Sequence, residues 1–330
     1  MKQSPRPTHN ARQHGLSLIE LMVSLTIGLI LMVAIVSAYL GSAGASRVAE
    51  AQGRMNEDAQ AALSILVQQL RMAGNNPLQA GYASSQPNSS IASNPVYGTS
   101  TVYLPIRGCD GAFSDVKTAA NIVSLTCSGG TNSNPDSVAI SYEADAQNTA
   151  PTSGGVATDC LGAALPAPPF NGMAVISNGT TNTTTTPVYK VADNRFFVGT
   201  STVIIQPSLY CQGNGATNSP QPLVENVENL QFLYGTAPAT GTITVAGYLT
   251  ANQVETDTAL ATLPDNSARW ARVSTVRVCV VIRSENPVVS DTASQQYVKC
   301  DGTVDSSQTD LRLRRAYTTT VVLRNRQPPT

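Results

Sequence analysis

The sequence predicts an α+β protein: one long N-terminal helix, transmembrane in its first half and amphipathic in its second, packed on a disulfide-containing antiparallel β-sheet head. Three observations predict it. Leu16 to Leu40 is a 25-residue run with a single formal charge, Glu20, and a bilayer is crossed by a helix of about 20 apolar residues. From Ala45 to Ala73 the chain has no proline and places apolar residues at helical spacing. Beyond that, short β-branched runs alternate with Gly-, Ser- and Asn-rich turns, and six cysteines are spread along the chain.

The first element carries the main functional signal. Before the apolar run stand Lys2, Arg6 and Arg12 with no acidic residue; after it, Arg47 and Arg54 mix with Glu50, Glu57 and Asp58. Positive charge stays cytoplasmic, so the rest of the chain is expected in the periplasm or outside. A lone carboxylate within such a run costs several kcal/mol unless paired, and is a functional hypothesis by default. A cut after Gly15 would give Leu16 a free α-amino group four residues from Glu20. In a bundle of identical helices, Glu20 of one subunit would meet the new N-terminus of its neighbour. Two other readings compete. A secretory signal peptide cut at Ala43-Gly44-Ala45 would release a soluble protein, but signal cores are 7–15 residues long and Glu20 has no purpose there. A plain single-span anchor fits the length and leaves Gly15 and Glu20 without a role.

The helix is expected to continue past the membrane. Val48, Met55, Ala59, Ala62, Leu66 and Leu70 recur at spacings of three, four or seven and form one apolar stripe. Gly74-Asn75-Asn76-Pro77 is a stop signal, with Gly past the last turn and Pro soon after. Unbroken from Leu16 to Ala73, this helix would measure roughly 87 Å. The stripe suits a globular head; a coiled coil with another protein is the competing use. Gly28 and Gly41 are weak points, since glycine restrains the backbone least.

The head reads as short strands. Residues 82–94 form a loop. Strands are expected at 102–106, 121–126, 137–142, 173–177, 188–191 and 196–206, with turns at 128–135, 148–155 and 177–187; the last of these, low in complexity, is expected as a surface loop. The cleanest strands come late. Val276, Val278, Val280 and Ile282 share one face, as do Tyr317, Thr319, Val321 and Leu323, the alternation of half-buried antiparallel strands. The polar connection 284–310 between them includes Cys300, which a disulfide to Cys279 would tie to the sheet.

Composition removes whole classes of chemistry. Both histidines, His9 and His14, precede Gly15, so a chain starting at Leu16 has no histidine triad or histidine metal site. Without the leader, 17 basic residues face 21 acidic ones, which disfavours nucleic acid without excluding a local basic contact. Cys109, Cys127, Cys160, Cys211, Cys279 and Cys300 suit an oxidising compartment. Six cysteines allow 15 pairings; pairing of sequence neighbours (109–127, 160–211, 279–300) is the working expectation. Arg312, Arg314, Arg315, Arg324 and Arg326 are read as solvated strand positions that discourage edge pairing. Asp301, Asp305 and Asp310 miss the EF-hand spacing, and Trp270, the only tryptophan, is expected to be buried. No catalytic residue, metal or cofactor is expected.

A short basic leader ending in Gly, an apolar run, and Glu at the fifth position after the cut resemble the type IV prepilins, precursors of pilus and type II secretion pseudopilus subunits. Leu16 stands where the family usually has Phe, and the run lacks the proline of many major pilins. Within that family, Leu223-Val224-Glu225-Asn226-Val227-Glu228-Asn229-Leu230-Gln231-Phe232-Leu233-Tyr234-Gly235, the strand at 276–283 and the closing segment 314–325 resemble PilW-type minor pilins; 82–221 carries no family signal. The resemblance implies a leader (1–15), a transmembrane or filament-core helix (16–40), its amphipathic continuation (41–74) and a periplasmic head (75–330). It implies a prepilin peptidase that cuts after Gly15 and methylates Leu16, and residence in the inner membrane, then in a low-copy tip complex with other minor pilins and the major pilin. Twitching motility and adhesion are the processes implied. The alternatives are a J-type minor pseudopilin and a tip adhesin or DNA-uptake subunit.

Overall fold

The computed structural model describes residues 17–75, 104–119, 121–130, 134–166, 174–177, 182–185, 190–215, 219–241 and 244–325. Gly15, Leu16, Arg326, the loop expected at 82–94 and the first two residues of the strand expected at 102–106 lie outside them. Helix α1 (Leu18–Met72) runs across the boundary between two compact units, Met1–Glu50 and Ala51–Thr330.

In the first unit, the side chains from Leu18 to Leu40 are exposed, and this part of α1 is long and apolar enough to cross a membrane. Its hydroxyls are turned inward on the backbone: Ser24, Thr26 and Ser37 donate to the carbonyls of Leu21, Val23 and Ala34 at 2.8–3.0 Å. That bonding satisfies the three aliphatic hydroxyls within the helix itself, as a hydrocarbon surrounding requires.

In the second unit, α1 buries Met55, Ala59, Ala62, Leu66 and Leu70, one face at helical spacing. The helix ends at Gly74, whose φ of +71° only glycine adopts without strain. The Gly74 N–H donates to the Ser141 carbonyl at 3.0 Å, tying the helix end to the sheet. Burying a leucine fully stabilises by about 1.5–3 kcal/mol, so Leu66 and Leu70, both at 0% exposure, are the main apolar links of α1 to the head.

The head is built from two antiparallel sheets. Its strands are β1 (Ile106–Cys109), β2 (Ser137–Ala144), β3 (Ala174–Ser177), β4 (Asn182–Thr185), β5 (Lys190–Gly199), β6 (Ser208–Gln212), β7 (Gln221–Glu225), β8 (Val227–Thr236), β9 (Gly247–Leu249), β10 (Val273–Arg283), β11 (Tyr297–Val298), β12 (Val304–Asp305) and β13 (Arg314–Val322). Two short helices, α2 (Ala251–Thr256) and α3 (Asn266–Trp270), lie between β9 and β10. One sheet has the order β1-β2-β5-β6-β7 and the other β13-β10-β8-β9; β3–β4 and β11–β12 are separate hairpins. The chain passes from the first sheet to the second at Asn226, whose φ of 62° breaks β7 from β8. Asn tolerates that left-handed conformation better than most residues, and Asn226 Nδ2 also reaches Asp58 of α1 at 3.5 Å. The buried faces of both sheets and the α1 stripe join in one core.

Several expectations are corrected. The first strand starts at Ile106, after Pro105, and runs through Gly108. Gly108 is required there: a Cβ would stand 2.0 Å from the Tyr234 hydroxyl. Residues 121–126 are not a strand. Asn121 accepts from the Ser124 N–H, Ser124 Oγ accepts from the Asn121 N–H, and this reciprocal cap closes a 3₁₀ turn at Ile122–Ser124. Residues 188 and 189 lie outside the described residues; 190–191 and 196–199, expected in two separate strands, belong to the single strand β5, and 200–206 are not strand. The expected loop 177–187 contains β4, whose threonines suit a pleated strand.

Polar clamps hold loops to the sheets. The Arg195 guanidinium pairs with Asp193 at 3.0 Å, both buried, and donates to the carbonyls of Val116 and Ala119. Arg107 donates to the carbonyls of Val123 and Leu125 and lies 3.4 Å from Glu255. Glu255 in turn accepts from Trp270 Nε1 at 2.9 Å, and buried Trp270 meets Tyr234 edge-on at 4.8 Å. Asp136, buried just before β2, accepts from the N–H of Phe232 at 2.8 Å and of Gly111 at 3.4 Å. Burial, helped by Asp110 nearby and opposed by the two N–H groups, pushes its carboxyl up to about 7.

Two predictions follow from this packing. Leu66→Ala should lower the unfolding free energy of the full chain in detergent by about 2–5 kcal/mol, read from denaturant midpoints. Asp136 holds a proton more tightly in the folded state than in the unfolded one. Its stabilising contribution is therefore complete below the ordinary carboxylate value of 3.8 and is lost as pH rises through about 7. Between those limits the wild-type midpoint should fall relative to that of Asp136→Asn; parallel pH profiles would refute it.

Candidate assembly surface

Glu20 lies in the first turn of α1, where the unpaired N–H groups at a helix N-terminus favour a carboxylate. Its Oε2 accepts from the Ser17 N–H at 3.4 Å. By helical spacing, Val23, Ser24, Ile27 and Leu31 continue its face, and all are exposed. From Ser17 to Ser46 the sequence has no other charged residue, and the first cation after it is Arg47. Within this stretch no basic side chain of the same helix can neutralise Glu20. Gly15 and Leu16 are outside the described residues, so the geometry covers only the Glu20 side of the expected site. Gly28, Gly41 and Gly44 open small gaps on the helix surface, with no atom within 4 Å of a Cβ built there.

The six cysteines form three bonds: Cys109–Cys127, Cys160–Cys211 and Cys279–Cys300. The first ties β1 to residue 127, which bridges back to Phe113. The second ties β6 to the turn at 157–164. The third fastens the long connection after β10 onto that strand.

The basic cluster at the C-terminus divides. Arg314 is not solvated: it is buried against Glu228 and Asp310, with Nη2–Oε1 and Nη2–Oδ2 distances of 2.9 and 2.7 Å. Burial opposes its charge, but the two carboxylates outweigh burial and raise its pKa above the ordinary arginine value. Arg312 caps the carbonyls of Ser284 and Glu285. Arg315 and Arg324 are exposed, Arg315 with its guanidinium 5.4 Å from the Tyr317 ring. The three aspartates are used locally. Asp301 accepts from Thr303. Asp305 accepts from Ser307 and Gln308, which hold it down to about 2. Asp310 is held down to about 2 by Arg314. Among the described residues no cluster of three or more His, Cys, Asp or Glu side chains is arranged for a metal ion.

Sequence reading missed the buried polar groups Asp193, Arg195, Asp136 and Glu228. Asp193-Asn194-Arg195 interrupts two apolar runs and so read as a gap between strands.

Comparison with known families agrees with this layout. Residues 195–325 match the family of the type IV pilus-assembly protein W, and residues 10–36 match the prokaryotic N-terminal methylation motif. The first match takes in the crossing at Asn226, β10 and β13, the segments that carry the resemblance in the sequence, and it begins at Arg195, so the last part of 82–221, expected to carry no family signal, does carry one. No characterised protein and no solved structure matches the chain. Both families are structural pilus components, not enzymes. With its apolar N-terminal helix and its disulfide-bonded antiparallel head, the chain is similar to the PilW-type pilins of the type IV pilus class over these two segments.

Proposed function

We propose that this protein is a low-copy minor subunit that primes pilus assembly and stays in the initiation or tip complex. In this reading a prepilin peptidase removes residues 1–15 after Gly15 and the new Leu16 N-terminus is methylated. Residues 16–40 hold the protein in the inner membrane, with its N-terminus cytoplasmic, and 41–74 carry the helix onto the periplasmic head 75–330. Assembly then transfers the helix from lipid to a bundle of like helices.

The observation that supports this most directly is the isolation of Glu20: one carboxylate on a fully exposed apolar helix with no cation between Ser17 and Ser46. Such a group at the centre of a span costs about 2.5–3.5 kcal/mol, and less toward the end. A neighbouring subunit's α-amino group would offset that cost in the filament core, where water is excluded and an unpaired charge is tolerated worst. The pair would therefore favour the assembled state over idle residence in the membrane. The basic residues before the span and the mixed charges after it support the orientation.

Glu20→Ala and the uncharged isostere Glu20→Gln should both be cleaved like wild type yet enter sheared pili at levels reduced on the order of ten-fold or more, the equivalent of about 1.4 kcal/mol. Quantitative immunoblots of sheared filaments and membranes read both steps. Normal incorporation of Glu20→Gln would exclude the charge pair as the driving contact.

A further inference from the structure

β13 is the outer strand of the four-stranded sheet, and it differs from the other sheet edges. β9, at the opposite edge, has three residues, and β1 has four. β7 contains Pro222 and pairs with β6 through a register shift. Proline, irregular pairing and short length are the usual guards of a sheet edge. β13 has none of them: nine residues, no proline, and unbroken register with β10 from Arg314 to Val322. Among the described residues no strand pairs with its other side, and no hydrogen bond outside the ladder occupies the backbone of 315–322. An antiparallel strand turns alternate N–H and C=O pairs away from its partner, so among the described residues this side offers unpaired donors and acceptors at 316, 318, 320 and 322, with β11 packed close to β13.

Charge narrows what fits. Ala316 to Leu323 is uncharged, and exposed Arg315 and Arg324 stand at its two ends, roughly 30 Å apart at 3.3 Å per residue. Arg314 does not add to this charge, because Glu228 and Asp310 consume it. Thr318, Thr320 and Val322, the last 55% exposed, line one face of the edge. A second copy of β13 carries no acidic residue between Arg314 and Arg324, so it has no carboxylate to set against either arginine.

We propose that the free edge of β13 takes up an extended strand from a different protein chain, one with an uncharged β-branched middle and an acidic residue at each end. The backbone supplies most of the binding, and the two arginines set the register and disfavour basic partners. This rests on the head alone and does not depend on the assembly role of Glu20.

The test uses the full chain in detergent and two probe peptides about ten residues long, the span from Arg315 to Arg324. Both alternate Thr and Val; one carries Glu at each end and the other Lys. The Glu-ended peptide should bind and slow amide hydrogen exchange within 316–323, and the Lys-ended one should bind about ten-fold more weakly, the effect expected of two exposed ion pairs. The double variant Arg315→Glu, Arg324→Glu should reverse the order. The comparison of peptides on the unchanged chain stands even if that variant folds poorly. Absence of binding, equal affinity for both peptides, binding without protection of 316–323, or concentration-dependent protection of β13 without peptide would each overturn the proposal; the last would make a second copy the occupant.

Discussion

One constraint organises the molecule: a single helix must serve two surroundings. From Leu18 to Leu40 its side chains are apolar all round and exposed, as a lipid or filament surrounding demands. From Met55 to Leu70 only one face is apolar, and that face is buried against the sheets. The change from all-round to one-sided hydrophobicity is made by residues 41–54, which, Val48 aside, are small or polar. The described sheets after Gly74 receive the buried stripe. The Gly74–Ser141 hydrogen bond fixes the helix end, Asn226 turns the chain from one sheet to the other beside Asp58, and Tyr317 of β13 donates to Asn56 at 2.6 Å.

The head reaches stability with few aromatic residues, 5% of the chain, and few charges, 12%. Its loops are long, and an apolar core alone does not order them. Three disulfides and three arginines do that work. Arg195, Arg107 and Arg312 each donate to backbone carbonyls of an irregular segment, satisfying groups that would otherwise be buried without partners. Arg314 closes the last strand onto Glu228. A guanidinium suits this use because it holds several donors in one plane and stays charged when buried. In the oxidising compartment proposed for the head, disulfides persist, which makes covalent ties dependable in the same role.

Much of this was legible in the sequence, and the parts that were not share a cause. The long helix, its stripe and its stop were readable because helical periodicity and the Gly-Asn-Asn-Pro signal are local. Strands β10 and β13 were readable because one buried face gives strict alternation. Residues 121–126 misled because Ile122, Val123 and Leu125 look like a strand, while the deciding interaction is a polar cap between Asn121 and Ser124. β5 was split because Asp193, Asn194 and Arg195 are buried by partners that lie far away in sequence. Arg314 read as solvated for the same reason: nothing local announces Glu228, 86 residues earlier. On the functional side, Glu20 and its isolation were visible in full, whereas the open edge of β13 needed the sheet order.

The helix with its lone carboxylate has meaning only if the chain is processed where the motif places the cut. The most direct measurement is the mass of the N-terminal peptide of the protein recovered from bacterial membranes. A methylated N-terminus at Leu16 is the predicted result, and it would supply the cation that Glu20 lacks within its own helix. A chain beginning at Ser46 would mean a released soluble protein, and an intact Met1 an ordinary anchor; either result would contradict the account.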